Sequence, residues 1–420
     1  MSSYMGEQSS TMRGRQATEV FAELFGGVVQ DPFPLYNELR ELGDGIHFVE
    51  ALQGFMVTRY ADVRRIGIDH KTFSSEVFFG LSPGIHNASD PEHLRFIEIA
   101  SRLFMFSDPP VHTRIRSTFR QAFTPDAVQA WRPMIERATI ELLAEFEPGQ
   151  EIDIMPHLAA AVPVAVIAAI LGVPREMWSK FREWSFAYAS TFDPLVQSER
   201  RDSAIRTSLE LFDFLGDLAE QRRVHPADDM ITTLVQTETI DGDHLGVSEL
   251  IAQVALLLIA GNETTTNLIG NGLTLLFGHP DVLAEVTADP ALLPSVVEEM
   301  LRFDPPLHLT GRRVTRDVVL GEHTLMEGTF VLPCIAAANH DPRAFESPEV
   351  FNVSRQNTKH LAFFQGIHFC VGAPLARMEG AVIFKELLRR FPDIGPGSQP
   401  AVRRTTNAVS RGWETRPVRL

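Results

Sequence analysis

The sequence predicts a mainly α-helical fold with small β-sheets. One large helical domain, residues 31–420, carries a minor β-rich region and follows a flexible tail at residues 1–30. Three observations predict it. Apolar residues recur at helical spacing almost without a break from residue 107 to residue 303. Strand-like pieces are short and grouped at Thr310–Leu320, Phe330–Pro333 and near the C-terminus. No linker divides the 420 residues into two cores, which overrides the two or three domains that length alone suggests.

Composition narrows the function. Hydrophobic residues make up 44% and charged residues 22%, a balance that supports a large core. The net charge of −16 is spread along the chain, which argues against nucleic acid or an anionic membrane as partner. Only Cys334 and Cys370 occur, so there is no disulfide framework or Cys-rich zinc site, and a reducing cytoplasm suits the chain. Met1–Gln16 is polar and lacks the apolar core of a signal peptide. The longest apolar run, Leu158–Val173, is broken by Pro163 and falls short of the roughly 20 residues of a bilayer span. It reads as a buried helix, and no membrane anchor is expected.

Taken in order, the tail turns helical near Ala17–Phe25 and is stopped by Asp31-Pro-Phe-Pro. Leu35–Leu42 is a short helix ended by Gly43, His47–Thr58 a hairpin around Gly54, and Tyr60–Ile68 another short helix. Residues 76–106 read as irregular, with an apolar patch at Leu94–Phe106. Asp108 is a candidate cap for a helix that Pro109 and Pro110 open and that runs to Phe123; His112 and Arg116 share its face. Thr124-Pro125 starts the next helix, and Ser185–Ser198 is an aromatic interruption. Ser248–Phe277 is a long helix with Ser248 as candidate N-cap, apolar all round from Val254 to Ala260. Val296–Phe303 is a helix with a proline stop, and Glu299 and Arg302 lie on one face. Pro374 opens the last helical pattern, Leu375–Leu388.

Two stretches carry chemistry. In His360–Arg377, Cys370 sits between Gly366 and Gly372 where a loop meets a helix N-terminus. The helix dipole and free loop N–H groups there favour thiolate over thiol. A lone cysteine is more often structural, so the surrounding string matters. In Ala260-Gly261-Asn262-Glu263-Thr264-Thr265, a carboxylate and two hydroxyls interrupt an apolar helix, a costly arrangement unless something compensates. A polar kink satisfied by neighbours is the plain alternative.

Phe363, Gly366, His368, Cys370, Gly372 and Ala376 lie at the spacing of the haem-binding loop of cytochromes P450, and the chain resembles the soluble bacterial branch of that family. Ala260-Gly261-x-Glu263-Thr264-Thr265, His112-x-x-x-Arg116 and Glu299-x-x-Arg302 match in the family's order. The position after Phe363, glycine in the family, is Phe364 here and is followed by Gln365. The departure bears on the turn, not on the ligand.

The resemblance implies the cytochrome P450 fold and haem b (iron protoporphyrin IX), with Cys370 as the metal ligand. It implies haem contacts from His112, Arg116, Arg312, His368, Ala260, Phe363 and Gly372, with Arg313 as the competing choice if the strand register slips by one. Thr264 and Glu263 would be catalytic, steadying bound oxygen and relaying protons. Glu299, Arg302 and Arg355 would support the loop. Phe78, Phe79, Leu81, Leu257, Leu307, Ala408 and Val409 would line a mainly apolar substrate pocket, with Arg102, His308 and Thr310 as polar anchors. The implied activity is a monooxygenase that inserts one atom of O2 into a small apolar substrate by hydroxylation, dealkylation or epoxidation. Electrons would come from a separate ferredoxin with its ferredoxin reductase, docked by Arg114, Arg116, Arg120 and Arg377, and the enzyme would be a cytoplasmic monomer. Rival readings are a peroxide-driven peroxygenase, which Glu263 and Thr264 argue against, a haem sensor or carrier, and a helical binding protein without haem.

Overall fold

Local signals place most elements of the computed structural model, which describes residues 15–26, 29–77, 90–192, 198–404 and 409–420. The N-terminal part comprises α1 (Ala17–Gly26), α2 (Phe33–Glu41), the hairpin β1 (Ile46–Val49) and β2 (Gly54–Val57), α3 (Tyr60–Ile68) and β3 (Phe73–Ser74). The helical body follows: α4 (Pro91–Ala100), α5 (Val111–Ala122), α6 (Pro125–Leu143), the short β4 (Glu151–Asp153) and α7 (Ala161–Ile170). It continues with α8 (Trp178–Ser190), α9 (Ser198–Val224), α10 (Met230–Gln236), α11 (Val247–Gly278), α12 (Pro280–Ala288) and α13 (Leu293–Phe303). Then come β5 (Arg312–Val314), β6 (Val318–Leu320), β7 (His323–Leu325), β8 (Phe330–Pro333), α14 (Ile335–Asn339) and α15 (Ala373–Arg390). Strands β9 (Gly395–Pro396), β10 (Val402–Arg403), β11 (Trp413–Thr415) and β12 (Pro417–Arg419) close the chain.

The main sheet has the order β1-β2-β8-β5-β3, with β2 and β8 parallel and the other pairs antiparallel. Helix α11 passes through the helical core with every residue from Leu250 to Leu258 buried, as an all-round apolar helix requires. It is the one helix among the described residues long and apolar enough to cross a membrane by composition. The apolar residues of the sheet form a second core, which includes Val63, Ile66, Phe73, Val314, Leu361 and Phe364.

Several expectations are corrected. The apolar patch read as irregular is α4, whose cap Asp90 accepts from Glu92 N at 2.8 Å and whose Phe96 stacks on Phe212 at 5.9 Å. The aromatic interruption is helical as far as Ser190: Tyr188 of α8 is buried against Phe96 and Phe212, and Pro194 lies outside the described residues. Asp108 does not cap α5. Its carboxylate accepts from Ser75 N at 3.0 Å, and the helix starts at Val111. Ser248 does not cap α11, because its hydroxyl donates to Glu98 at 3.1 Å. Gly246 N instead donates to Glu249 Oε2 at 3.0 Å. In each case a partner distant in sequence or a neighbouring residue outcompetes the local signal.

Candidate active site

The cysteine loop closes on itself before entering α15. Phe364 N donates to Leu361 O at 2.7 Å, Phe369 N to Gly366 O at 3.1 Å, and Cys370 N to Phe363 O at 3.0 Å. Phe364 and Gly366 both adopt left-handed backbone, with φ of +55° and +72°. Glycine is required at 366, where a Cβ would lie 2.1 Å from Gly67 O of α3. At Phe364 the same conformation costs about 1–3 kcal/mol. Burial of the ring offsets it by about 1.5–3 kcal/mol. The turn survives the loss of glycine because packing holds it. The two phenylalanines part ways there: Phe363 joins the helical core and Phe364 the sheet core.

Cys370 is accessible to solvent at the junction of the loop and α15, although the surrounding protein still desolvates it. Desolvation pushes its thiol above the ordinary value. The N–H groups of Gly372 and Ala373 and the charges of Arg116 and Arg377 oppose this without prevailing. The loop amides and nearby charges expected to favour the thiolate are present, and a bound metal cation would act in the same direction.

Four nitrogen-bearing side chains converge beside the loop. The rings of His112 and His368 lie 4.3 Å apart, and Arg116 of α5 donates to Phe369 O. Among the described residues neither ring nitrogen of His112, nor Nε2 of His368, makes a well-formed hydrogen bond, although the Ile367 backbone lies near enough to His112 to favour its charged form. Burial first, then Arg116, pushes His112 down to about 4. Burial first, then Arg312, His112 and Arg116, pushes His368 down to about 2. Strand register decides between the two arginines of β5: Arg312 points inward and Arg313 outward. Desolvation pushes Arg312 down to about 10. It donates only through Nη1, to Gly311 O at 2.6 Å and Thr310 Oγ1 at 3.4 Å, and has no ion pair among the described residues. A buried guanidinium with no direct ion pair among the described residues and buried imidazole nitrogens that make no hydrogen bond are costly. With a thiol alongside, they fit a flat metal cofactor that carries carboxylates, which is the haem implied by the sequence.

Directly after the buried run of α11, Ala260 is exposed and Gly261, Glu263 and Thr264 are half-buried. Thr264 Oγ1 donates to Ala260 O at 2.7 Å, a back-bond that loosens the helix locally. Glu263 Oε1 accepts from Ser410 Oγ at 2.7 Å and Arg404 Nη1 at 3.1 Å. Leu307 bridges to Ser410 and His308 N donates to Val409 O at 2.8 Å. Leu307 and Val409 therefore share the neighbourhood of Glu263. Leu257 is buried one turn before Ala260. Phe78, Phe79, Leu81 and Ala408 lie outside the described residues. Of the polar anchors, His308 is corrected to a structural role, because its buried ring faces Tyr36 Oη at 3.1 Å and Asp304 at 3.6 Å. Arg102 Nε donates to Glu98 O at 3.1 Å, and Thr310 faces Arg312.

Behind the loop, Glu299, Arg302 and Arg355 come together. Arg302 makes two 2.8 Å bonds to Glu299, and Arg355 Nε lies 3.2 Å from both carboxylate oxygens. Sequence reasoning missed Glu298, which joins His360 (3.3 Å) and Arg377 (2.5 Å) and is held at about 2 by them despite its burial. It also missed Arg404 and Ser410, since nothing local marks residues whose partner is more than a hundred positions away. Of the candidate docking cations, Arg114 pairs with Glu249 and Arg377 with Glu298, Arg116 donates to Phe369 O, and the Arg120 side chain lies outside the described residues.

A sequence model of the family described as Cytochrome P450 matches residues 92–410. The chain is 39% identical to 6-deoxyerythronolide B hydroxylase of Saccharopolyspora erythraea over 93% of its length and 96% of the relative's. P450BioI, solved with an acyl carrier protein bearing hexadec-9Z-enoic acid, superposes with a TM-score of 0.84 at 28% identity, covering 93% of this chain and 99% of that one. PksS, the cytochrome P450 of the bacillaene polyketide synthase of Bacillus subtilis, superposes with a TM-score of 0.81 at 34% identity, covering 93% and 97%.

Proposed function

The chain belongs to the cytochrome P450 family and is a monooxygenase of its bacterial type, and from that premise we propose that it hydroxylates a mainly apolar organic substrate with one atom of O2. The family's haem-thiolate cofactor, which we read as haem b, supplies the oxygen activation that side chains cannot. Cys370 provides the thiolate. His112, Arg116, Arg312 and His368 receive the carboxylates of the cofactor, and Ala260, Phe363 and Gly372 line its faces. Thr264 offers a hydroxyl at the loosened turn of α11, and Glu263 passes protons to it from a carboxylate anchored by Ser410 and Arg404. Leu257, Leu307 and Val409 exclude water and orient the substrate. Glu299, Arg302 and Arg355 hold the segment that leads into the loop.

One observation carries this reading: Arg312, a buried cation with no ion pair among the described residues and Asp108 as its only nearby carboxylate there, lies beside His112, His368 and the cysteine loop. Reduced protein exposed to carbon monoxide is expected to show the red-shifted band of a thiolate-bound haem. Cys370→Ser is expected to abolish it, and persistence of the band in that variant would refute Cys370 as ligand.

The redox partner is proposed to be a ferredoxin with its reductase, and the protein to be a cytoplasmic monomer with residues 31–420 as one domain. The acid–alcohol pair Glu263–Thr264 favours O2 over peroxide as oxidant. A polyketide-like or acyl substrate is the reading that the relatives support, one named for 6-deoxyerythronolide B and another for a polyketide pathway. A panel of such compounds, screened for the substrate-induced shift of the haem absorption, tests it. NADH-dependent product formation with ferredoxin, but not with peroxide alone, tests the electron source.

A further inference from the structure

Phe364 occupies a position that backbone geometry alone would assign to glycine. A bulky residue at φ +55° is an outlier, and such strain persists only where the surroundings over-determine it. The surroundings here are specific. The ring is buried in the sheet core, and its edge reaches Gly67 of α3, where an added Cβ would lie 3.2 Å from Phe364 Cζ. Above the ring, at 4.7 Å from its centroid, sits the guanidinium carbon of Arg312. That guanidinium is buried, and among the described residues only its Nη1 has protein acceptors.

A carboxylate placed beside Arg312 would satisfy its charge but would occupy its N–H edges. An aromatic face stabilises the same charge through the flat side and leaves those edges available. We propose that Phe364 is a positioning residue whose ring holds the Arg312 guanidinium in orientation for a cofactor carboxylate and couples that cation mechanically to the Cys370 loop. The coupling is short: Phe364 follows Phe363, whose carbonyl accepts from Cys370 N at 3.0 Å. The proposal rests on the haem reading of the site and adds a role that the haem loop does not require in itself.

Phe364→Leu tests it, since leucine keeps apolar bulk and the same backbone demand but has no π face. The measurements on ferric holoprotein are the rate of haem transfer to excess apomyoglobin and the ferric/ferrous midpoint potential, alone and combined with Arg312→Lys. The expected result is faster transfer by about thirtyfold, the scale of a desolvated cation–π contact, and a lower potential as the cation drifts. Arg312→Lys should then accelerate transfer much less in the leucine background than in the parent. Independent multiplication of the two effects, or an unchanged rate and potential in Phe364→Leu, overturns the proposal. If the leucine variant does not accumulate, Phe364→Met is read in the same way. A parent protein that binds no haem defeats the site reading and this proposal together, whereas a haem-loaded parent with additive variants defeats this proposal alone.

Discussion

Glu379 is a carboxyl group sealed between two helices, and its position has a cost that depends on pH. It lies on α15 with Thr265 Oγ1 of α11 at 3.3 Å, and burial pushes it from 4.5 up to about 8. The folded state therefore binds a proton that the unfolded chain has released between pH 4.5 and about 8. The stabilising contribution is complete below pH 4.5 and is lost as pH rises towards about 8, at no more than about 1.4 kcal/mol per pH unit. Glu379→Gln is expected to flatten that decline in urea-unfolding midpoints across the window, and equal slopes for parent and variant would contradict it. Residues of this kind were not legible in the sequence. Cys370 and Thr264 stand out because they interrupt apolar strings at recognisable spacing, whereas Glu379 looks like any polar position on an amphipathic helix until α11 covers it.

At the scale of elements, the approach of α3 to the cysteine loop sets how closely the sheet region and the loop can meet. Gly67 and Gly366 touch backbone to backbone, and a Cβ at 366 would meet Gly67 O at 2.1 Å with φ at +72°. Gly366→Ala is expected to destabilise the fold by about 1–3 kcal/mol and to speed haem loss, measured by thermal unfolding and by transfer to apomyoglobin. A melting temperature equal to the parent's would show that the loop can shift away. The bounds of α3 and the hairpin before it were readable because glycines and short apolar runs punctuate them. The existence of α4 was not, since its apolar face makes sense only once Phe96 meets Phe212 of α9. The start of α11 likewise depended on Glu249 reaching back to Gly246 and on Glu98 of α4 taking the hydroxyl of Ser248.

For the whole molecule, the buried knot around Glu299 ties the helical body to the segment that leads into the cysteine loop. Arg302 is fully buried. It bonds Glu299 and the carbonyls of Asn339, Pro348 and Val350 at 2.9–3.2 Å, while Arg355 reaches the same carboxylate. Removing one partner leaves polar groups stranded, so Arg302→Met is expected to cost about 3–5 kcal/mol in chemical unfolding. Replacing all three charged partners, as Glu299→Leu with Arg302→Met and Arg355→Met, should cost less than the sum of the single changes, because no member of the triad is left as an unpaired buried charge. A triple variant that costs that sum or more would mean that the carbonyl contacts, not the charges, hold the segment.

By itself, the sequence determined the helical class, the cysteine at the loop–helix junction, and the acid–alcohol break in α11, because each is written as a local pattern within a few residues. Only the tertiary structure decided that Arg312 rather than Arg313 turns inward, that Phe364 can stand in a glycine's conformation, and that Glu263 is gripped by Arg404 and Ser410. Those outcomes depend on strand register, core packing and charge burial, which arise from segments that meet only after the chain has folded.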